Sequence, residues 1–459
     1  MLAILASAVA IVIASFVAGR AFLFALGRTR PTWLSGAVGF AVLVVVCPLL
    51  IHLPGRATTA TILTILALLI SLAAMRSRFF AQKTNISEEI SEEPDAGAPG
   101  AQGAGVSGVA PDGHLQHGRE DGAMHGSESD RRGSPPAIQP VPPTGSQAPS
   151  AAHATALATV LITLLLACLP FLLNYSTGVL GEGIYTNDQA AQLYWTDWLQ
   201  NGDGPEPSAV RFGYPTGPQS LTAVAAEATG ASLEHAFDGL LVAIAILGAL
   251  AALSVLGELE PRRRVAAAVV TGLPYLGASF LAQSAFKETA MGLLVLALAI
   301  VLVEIARGDV PRRAGIGALL ALAAASVFTY SLPGLIWFAA AIPLWIVFEL
   351  VRGSGRVRAD LAAGADAIRS HRRLLLLGLA AVVVVAVLGA GPVRHFFSKI
   401  SSVQSSPGRL GSPISPGEVF GVWPAGDFRL VRGAVSGAIP AAAIGLLAVG
   451  FGALFAFRR

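Results

Sequence analysis

The chain has 459 residues and a formal net charge of +3; 54% of its residues are hydrophobic and only 13% are charged. Soluble domains carry about 25% charged residues. Here the charge is missing from apolar runs of about 17–22 residues, the length that crosses ~30 Å of hydrocarbon. This excludes an ordinary soluble protein, and the lack of a basic, aromatic-interleaved domain argues against a nucleic-acid partner.

In chain order, apolar runs lie near 2–19, 34–53, 58–75, 154–173, 238–257, 265–281, 289–306, 314–330, 335–351, 374–391 and 437–457. They predict an all-α, polytopic transmembrane bundle of about eleven helices embedded in the lipid bilayer of the cell (plasma) membrane. Cys47 and Cys168 fall inside these runs and read as small buried hydrophobes, not as a disulfide or metal cluster.

The first run has no positive residue before it, and its first charge, Arg20, follows it. That order favours a retained helix with its N-terminus outside over a cleaved signal peptide. Further basic groups follow alternate runs: Arg28 and Arg30, then Arg76, Arg78 and Lys83, then Arg262–Arg264, then Arg307, Arg312 and Arg313, then Arg352 through Arg373, and finally Arg458 and Arg459. Eleven crossings put every cluster on one side, which the positive-inside rule makes cytoplasmic, with the C-terminus inside.

Residues 1–80 are three leading helices, 81–152 a linker, and 153–459 a main core. The linker opens with an acidic cluster (Glu88, Glu89, Glu92, Glu93, Asp95) and continues in Gly, Pro, Ser and scattered His. It holds too little apolar surface to offset the entropy of folding and reads as disordered and cytoplasmic.

Two outer loops are long, 174–237 and 392–436. The first contains Tyr185-Thr186-Asn187-Asp188-Gln189, then Gln192, Trp195, Asp197 and Trp198. Thr186 and Gln189 have capping-box spacing, which predicts a helix from Asn187. Asp188, Ala191, Trp195 and Trp198 would share one face of it, giving an interfacial helix with a carboxylate at its N-terminal end. The helix dipole keeps such a carboxylate ionised, able to accept or orient a sugar hydroxyl proton; plain helix capping is the competing reading.

Beyond it come Tyr214 and a second short amphipathic helix from Ser220 to a Gly230 stop. Glu227, Glu234 and Asp238 read mainly as a solvated face. Between the sixth and seventh runs lie Lys287 and Glu288. This is one of only three lysines among 31 basic residues, at an outer edge where cations are sparse. It suits a lipid phosphate, or equally a snorkelling pair with Glu288.

The second loop offers Arg394, His395 and Lys399 for a phosphate or glycan, Trp423 for stacking on a sugar or anchoring at the interface, and Asp427 and Arg429 beside it. No phosphate-cradling loop, HExxH or Ser-His-Asp pattern occurs.

From the Tyr185–Trp198 segment to the Trp423–Arg429 segment the chain resembles the GT-C superfamily of membrane glycosyltransferases, especially its actinobacterial members. The resemblance rests on an acid in the first outer loop of the core, interfacial helices beside it, and alternating hairpins thereafter. It implies a GT-C-like fold, a polyprenyl-phosphate sugar donor and a lipid or glycan acceptor in cell-envelope synthesis. It assigns Asp188 to the acceptor hydroxyl and Lys287 with Arg394 to the donor phosphate. Tyr185, Gln189, Gln192, Asp197, Tyr214, Glu288, His395, Trp423, Asp427 and Arg429 would support or bind substrate.

The chain departs from the family in two ways. Several families carry two adjacent acids where this one has Asn187-Asp188, which leaves a divalent metal open. Others append a soluble domain where this sequence ends just after an apolar run. A transporter or flippase is the main alternative, and a scaffold recruiting partners through the linker is another. Coupled carriers place ionisable residues near the bilayer midplane, whereas these apolar runs carry theirs near the ends.

Overall fold

The computed structural model describes residues 1–91, 149–173, 188–282 and 284–353, with isolated positions 355, 359 and 362 beyond. All regular structure among them is helical: α1 (Leu2–Ala25), α2 (Ser35–Leu50), α3 (Arg56–Ser91), α4 (Pro149–Leu173), α5 (Asp188–Asn201), α6 (Ser208–Arg211), α7 (Gly217–Thr229), α8 (Leu233–Leu253), α9 (Pro261–Gly272), α10 (Tyr275–Ala282), α11 (Phe286–Arg307), α12 (Arg312–Tyr330) and α13 (Gly334–Val351).

Among the described residues seven helices are long and apolar enough to cross a membrane: α1, the 56–77 part of α3, the 151–172 part of α4, α8, α11, α12 and α13. The count differs from the eleven expected for three reasons. Helix α2 has only 16 residues, about 24 Å at 1.5 Å per residue. The expected run 265–281 is two helices, broken at Leu273-Pro274. Pro274 supplies no N–H and disfavours helical geometry in the residue before it, and Leu273 accordingly leaves the helix at φ −133°, ψ 65°. Runs 374–391 and 437–457 lie outside the described residues.

The chain divides into two compact units, 1–77 with 150–459, and 78–149. The leading helices and the later core, separate in sequence, therefore belong to one unit. Helix α3 continues to Ser91, eleven residues into the stretch expected to be a linker; 92–148 lie outside the described residues.

Within the larger unit α8 is the central helix, its whole apolar window buried. A helix apolar all round must be enclosed by neighbours; α1, α7, α9 and α11 enclose it. Helices α1 and α2 form a hairpin in which backbones touch. A Cβ on Gly19 would lie 1.8 Å from the Ser35 carbonyl oxygen, and one on Gly39 1.7 Å from that of Ser15. Ser15 and Gly19 on one helix, Ser35 and Gly39 on the other, repeat at intervals of four, the spacing that lets apolar helices approach closely. Large apolar side chains stay exposed on the periphery, among them Ile62, Leu66 and Ile70 of α3, Leu161 and Leu165 of α4, and Leu344 and Val347 of α13. That band suits hydrocarbon, not water.

Contacts fix the helix directions. Ser7 of α1 meets Thr229 just before α8 (3.3 Å), and Phe237 of α8 meets Phe286 of α11 with ring centroids 4.8 Å apart. At the far end Arg28 forks onto Glu304 of α11 at 2.5 and 2.9 Å. Helices α1, α8 and α11 thus run parallel. Helix α12 runs the other way, its Gly317 against Leu26 and its Phe328 against Gly217. Arg20, Arg28, Arg30, Arg262–Arg264, Arg307, Arg312 and Arg313 consequently share one end, and Lys287 lies at the other.

Candidate functional site

At the Lys287 end, α5 begins at Asp188, and Asn187, the expected first residue, is outside the described residues. The inward stripe of α5 is Gln189, Gln192, Thr196 and Leu199, all buried. The expected face at 188, 191, 195 and 198 is displaced by one position, although Trp198 is also buried. The cause is what α5 packs on. Helix α7 places Gln219 beneath it, and a buried amide is tolerated only where it is hydrogen-bonded. Gln219 Nε2 donates to Gln192 Oε1 at 2.6 Å, and Gln192 Nε2 donates to the Tyr214 hydroxyl at 2.8 Å.

Helix α7 also differs from expectation. It starts at Gly217 instead of Ser220, and its first ten residues are buried all round, so it is an inserted helix and not an amphipathic one. Gly217 is needed there, since a Cβ would meet Val44 and the Phe328 carbonyl within 2.8 Å. The Gly230 stop is as expected, with φ +67°.

Tyr214 joins two partners besides the amide chain. The Trp195 ring lies 4.3 Å away, and Lys287 Nζ stands 3.8 Å from the Tyr214 ring centroid and 5.9 Å from that of Tyr330. The Tyr330 hydroxyl reaches Glu288 Oε1 at 3.4 Å. Lys287 is the second residue of α11. An ammonium at a helix N-terminus is opposed by the dipole, and the π faces of the two tyrosines offset this. An anion is drawn to the same spot by both the ammonium and the helix terminus.

The backbone is strained at this end. The only non-glycine residues at positive φ among those described are Arg56 (45°), Ser284 (57°) and Ser331 (62°). Ser284 is three residues before Lys287, and Ser331 follows Tyr330. Arg56 donates to the Trp198 carbonyl at 2.9 Å and covers the Trp198 ring at 4.6 Å. Such strain of about 1–3 kcal/mol per residue concentrates at functional sites.

The structure thus brings together Gln192, Tyr214, Lys287 and Glu288 of the expected set, with Gln189 one turn before Gln192. Asp188 is the first residue of α5, four positions before Gln192; its side chain lies outside the described residues. Asp197 is exposed and holds Asn201 at 2.8 Å, apart from the cluster. Tyr185, Arg394, His395, Trp423, Asp427 and Arg429 lie outside the described residues.

Sequence reasoning missed Gln219, Trp195 as a partner of Tyr214, and Tyr330. The strained turn Ser331-Leu332-Pro333-Gly334 after Tyr330 was the available signal. It also misplaced Asp238. Glu227 and Glu234 are exposed as expected, but Asp238 is completely buried in the second turn of α8, next to Phe237 and its contact with α11. Among the described residues no three His, Cys, Asp or Glu side chains converge as a metal group.

The cluster can hold an anion at Lys287 and hydrogen-bond hydroxyl-rich ligands through its amides and phenols. No family model, curated protein or solved structure matches the chain.

Proposed function

We propose that this protein is a membrane glycosyltransferase that moves a sugar from a polyprenyl-phosphate donor to a lipid or glycan acceptor outside the cytoplasm. The observation that carries the reading is the connection Gln192–Tyr214–Lys287, which puts a helix beginning in Asp188 and a cation on a helix N-terminus into one cluster. In the reaction the acceptor oxygen attacks the anomeric carbon and the bond from that carbon to the donor phosphate oxygen breaks. Asp188 takes or orients the acceptor proton. Lys287 and the α11 terminus stabilise the phosphate that departs, with Arg394 as a further cation.

The location supports this chemistry. Nucleotide sugars are cytoplasmic, so a transferase working at the end opposite the arginine-rich turns needs a donor tethered to the membrane. The positive-inside rule makes that end extracytoplasmic.

The test is transfer from labelled polyprenyl-phosphate sugars in membranes. Asp188→Asn is expected to lower the rate by about 100-fold or more, and Lys287→Ala by about 100- to 1,000-fold. Full activity in correctly inserted Asp188→Asn would remove that residue from catalysis.

A carrier or flippase is the second reading, favoured by the break in the α9–α10 span and the buried carboxylate of Asp238. It predicts movement of a labelled lipid across the bilayer with no new glycosidic bond. Glycosyl transfer without such movement would exclude it.

A further inference from the structure

We propose that the cavity between α8, the broken α9–α10 span and α11 holds the hydrocarbon chain of the lipid whose phosphate lies at Lys287; the proposal rests on the glycosyl-transfer reading. The cavity has a volume of about 230 Å³ and is lined by Leu241 and Gly248 of α8, Gly272 at the break, and Glu288, Gly292 and Leu296 of α11. It is continuous with the candidate site. Glu288 lines it and is also reached by the Tyr330 hydroxyl beneath Lys287. From Glu288 to Leu296 it follows α11 for about 12 Å, at 1.5 Å per residue, away from the Lys287 end.

Three features make the occupant a hydrocarbon chain. Its two lining threonines already donate within their own helices, Thr271 to the Ala267 carbonyl and Thr289 to that of Phe286, each at 2.8 Å. Apart from these threonines and the Glu288 carboxylate at its end, every side chain that lines the cavity is apolar, a surface that favours hydrocarbon over ordered water. The slot is made by residues without side chains: Gly248 and Gly272 meet across α8 and α9, and Gly292 leaves its side of α11 open. The head is fixed by charge, because the ammonium and the α11 N-terminus attract a phosphate at the end where the slot begins.

Gly292 gives a clean test, since a Cβ there meets nothing within 4 Å and a longer side chain enters the slot without backbone strain. Full-length Gly292→Leu is compared with wild type on a long polyprenyl-phosphate sugar and on its dimethylallyl-phosphate counterpart, whose chain ends short of Gly292. The preference for the long donor, as a ratio of kcat/KM values, should fall about tenfold, the burial of roughly two methylenes. An unchanged ratio overturns the slot.

If wild type transfers from neither donor, the glycosyl-transfer reading fails by itself, and a photolabel decides the slot separately. A polyprenyl phosphate with a diazirine in its chain should label the 241–248 and 289–296 segments of wild type and lose this labelling in Gly292→Leu. Labelling elsewhere, or labelling indifferent to the substitution, overturns the proposal.

Discussion

Among single residues, Gln192 and the Arg28–Glu304 pair show how polar groups are held in an apolar bundle. Gln192 accepts from Gln219 and donates to Tyr214, so Gln192→Leu strands two polar groups. The expected cost is about 1–3 kcal/mol per stranded group, read as a lower melting temperature in detergent. Arg28 and Glu304 are both buried and joined bidentately. Arg28→Ala should cost about 3–5 kcal/mol because it leaves a buried carboxylate uncompensated, while Arg28→Met with Glu304→Leu should recover most of that loss. A double variant no more stable than Arg28→Ala would show that the pair is needed for more than charge balance. Neither interaction was legible in the sequence. Arg28 read as one more cytoplasmic arginine and Glu304 as the end of an apolar run, and their partnership spans 276 positions. Asp238 was missed for the same reason: a carboxylate near a helix start reads as solvated, and only packing by α1 and α11 makes it internal.

At the scale of elements, the apolar runs were plain because length and composition alone specify a crossing helix. The break within 265–281 was written there as Gly272-Leu273-Pro274, but mean hydropathy passes over a single proline. The register of α5 was not legible, because aromatic spacing suggested one stripe and the facing Gln219 selects the next. Close packing offers a paired prediction. Gly39→Ala pushes a Cβ into the Ser15 carbonyl and should disrupt the α1–α2 hairpin, whereas Gly292→Ala meets no atom and should leave stability unchanged or higher. Thermal unfolding of the two variants in the same detergent checks both. Equal melting temperatures would contradict the hairpin geometry.

For the whole molecule, the arrangement separates two kinds of polar residue to opposite ends of one bundle. The arginine-rich turns and the Arg28–Glu304 pair occupy one end; Asp188, Gln192, Tyr214, Lys287 and Tyr330, with all three strained serine and arginine positions, occupy the other. A transferase fed by a membrane-tethered donor requires that second end to face away from the cytoplasm. The most direct measurement is thiol labelling of single-cysteine variants in intact cells, favoured by the burial of both native cysteines. Tyr194 of α5 and Arg312 at the start of α12 are both exposed. Tyr194→Cys should react with a membrane-impermeant maleimide before permeabilisation, and Arg312→Cys only after it. The reverse pattern would place Asp188 and Lys287 in the cytosol and contradict the proposed reaction.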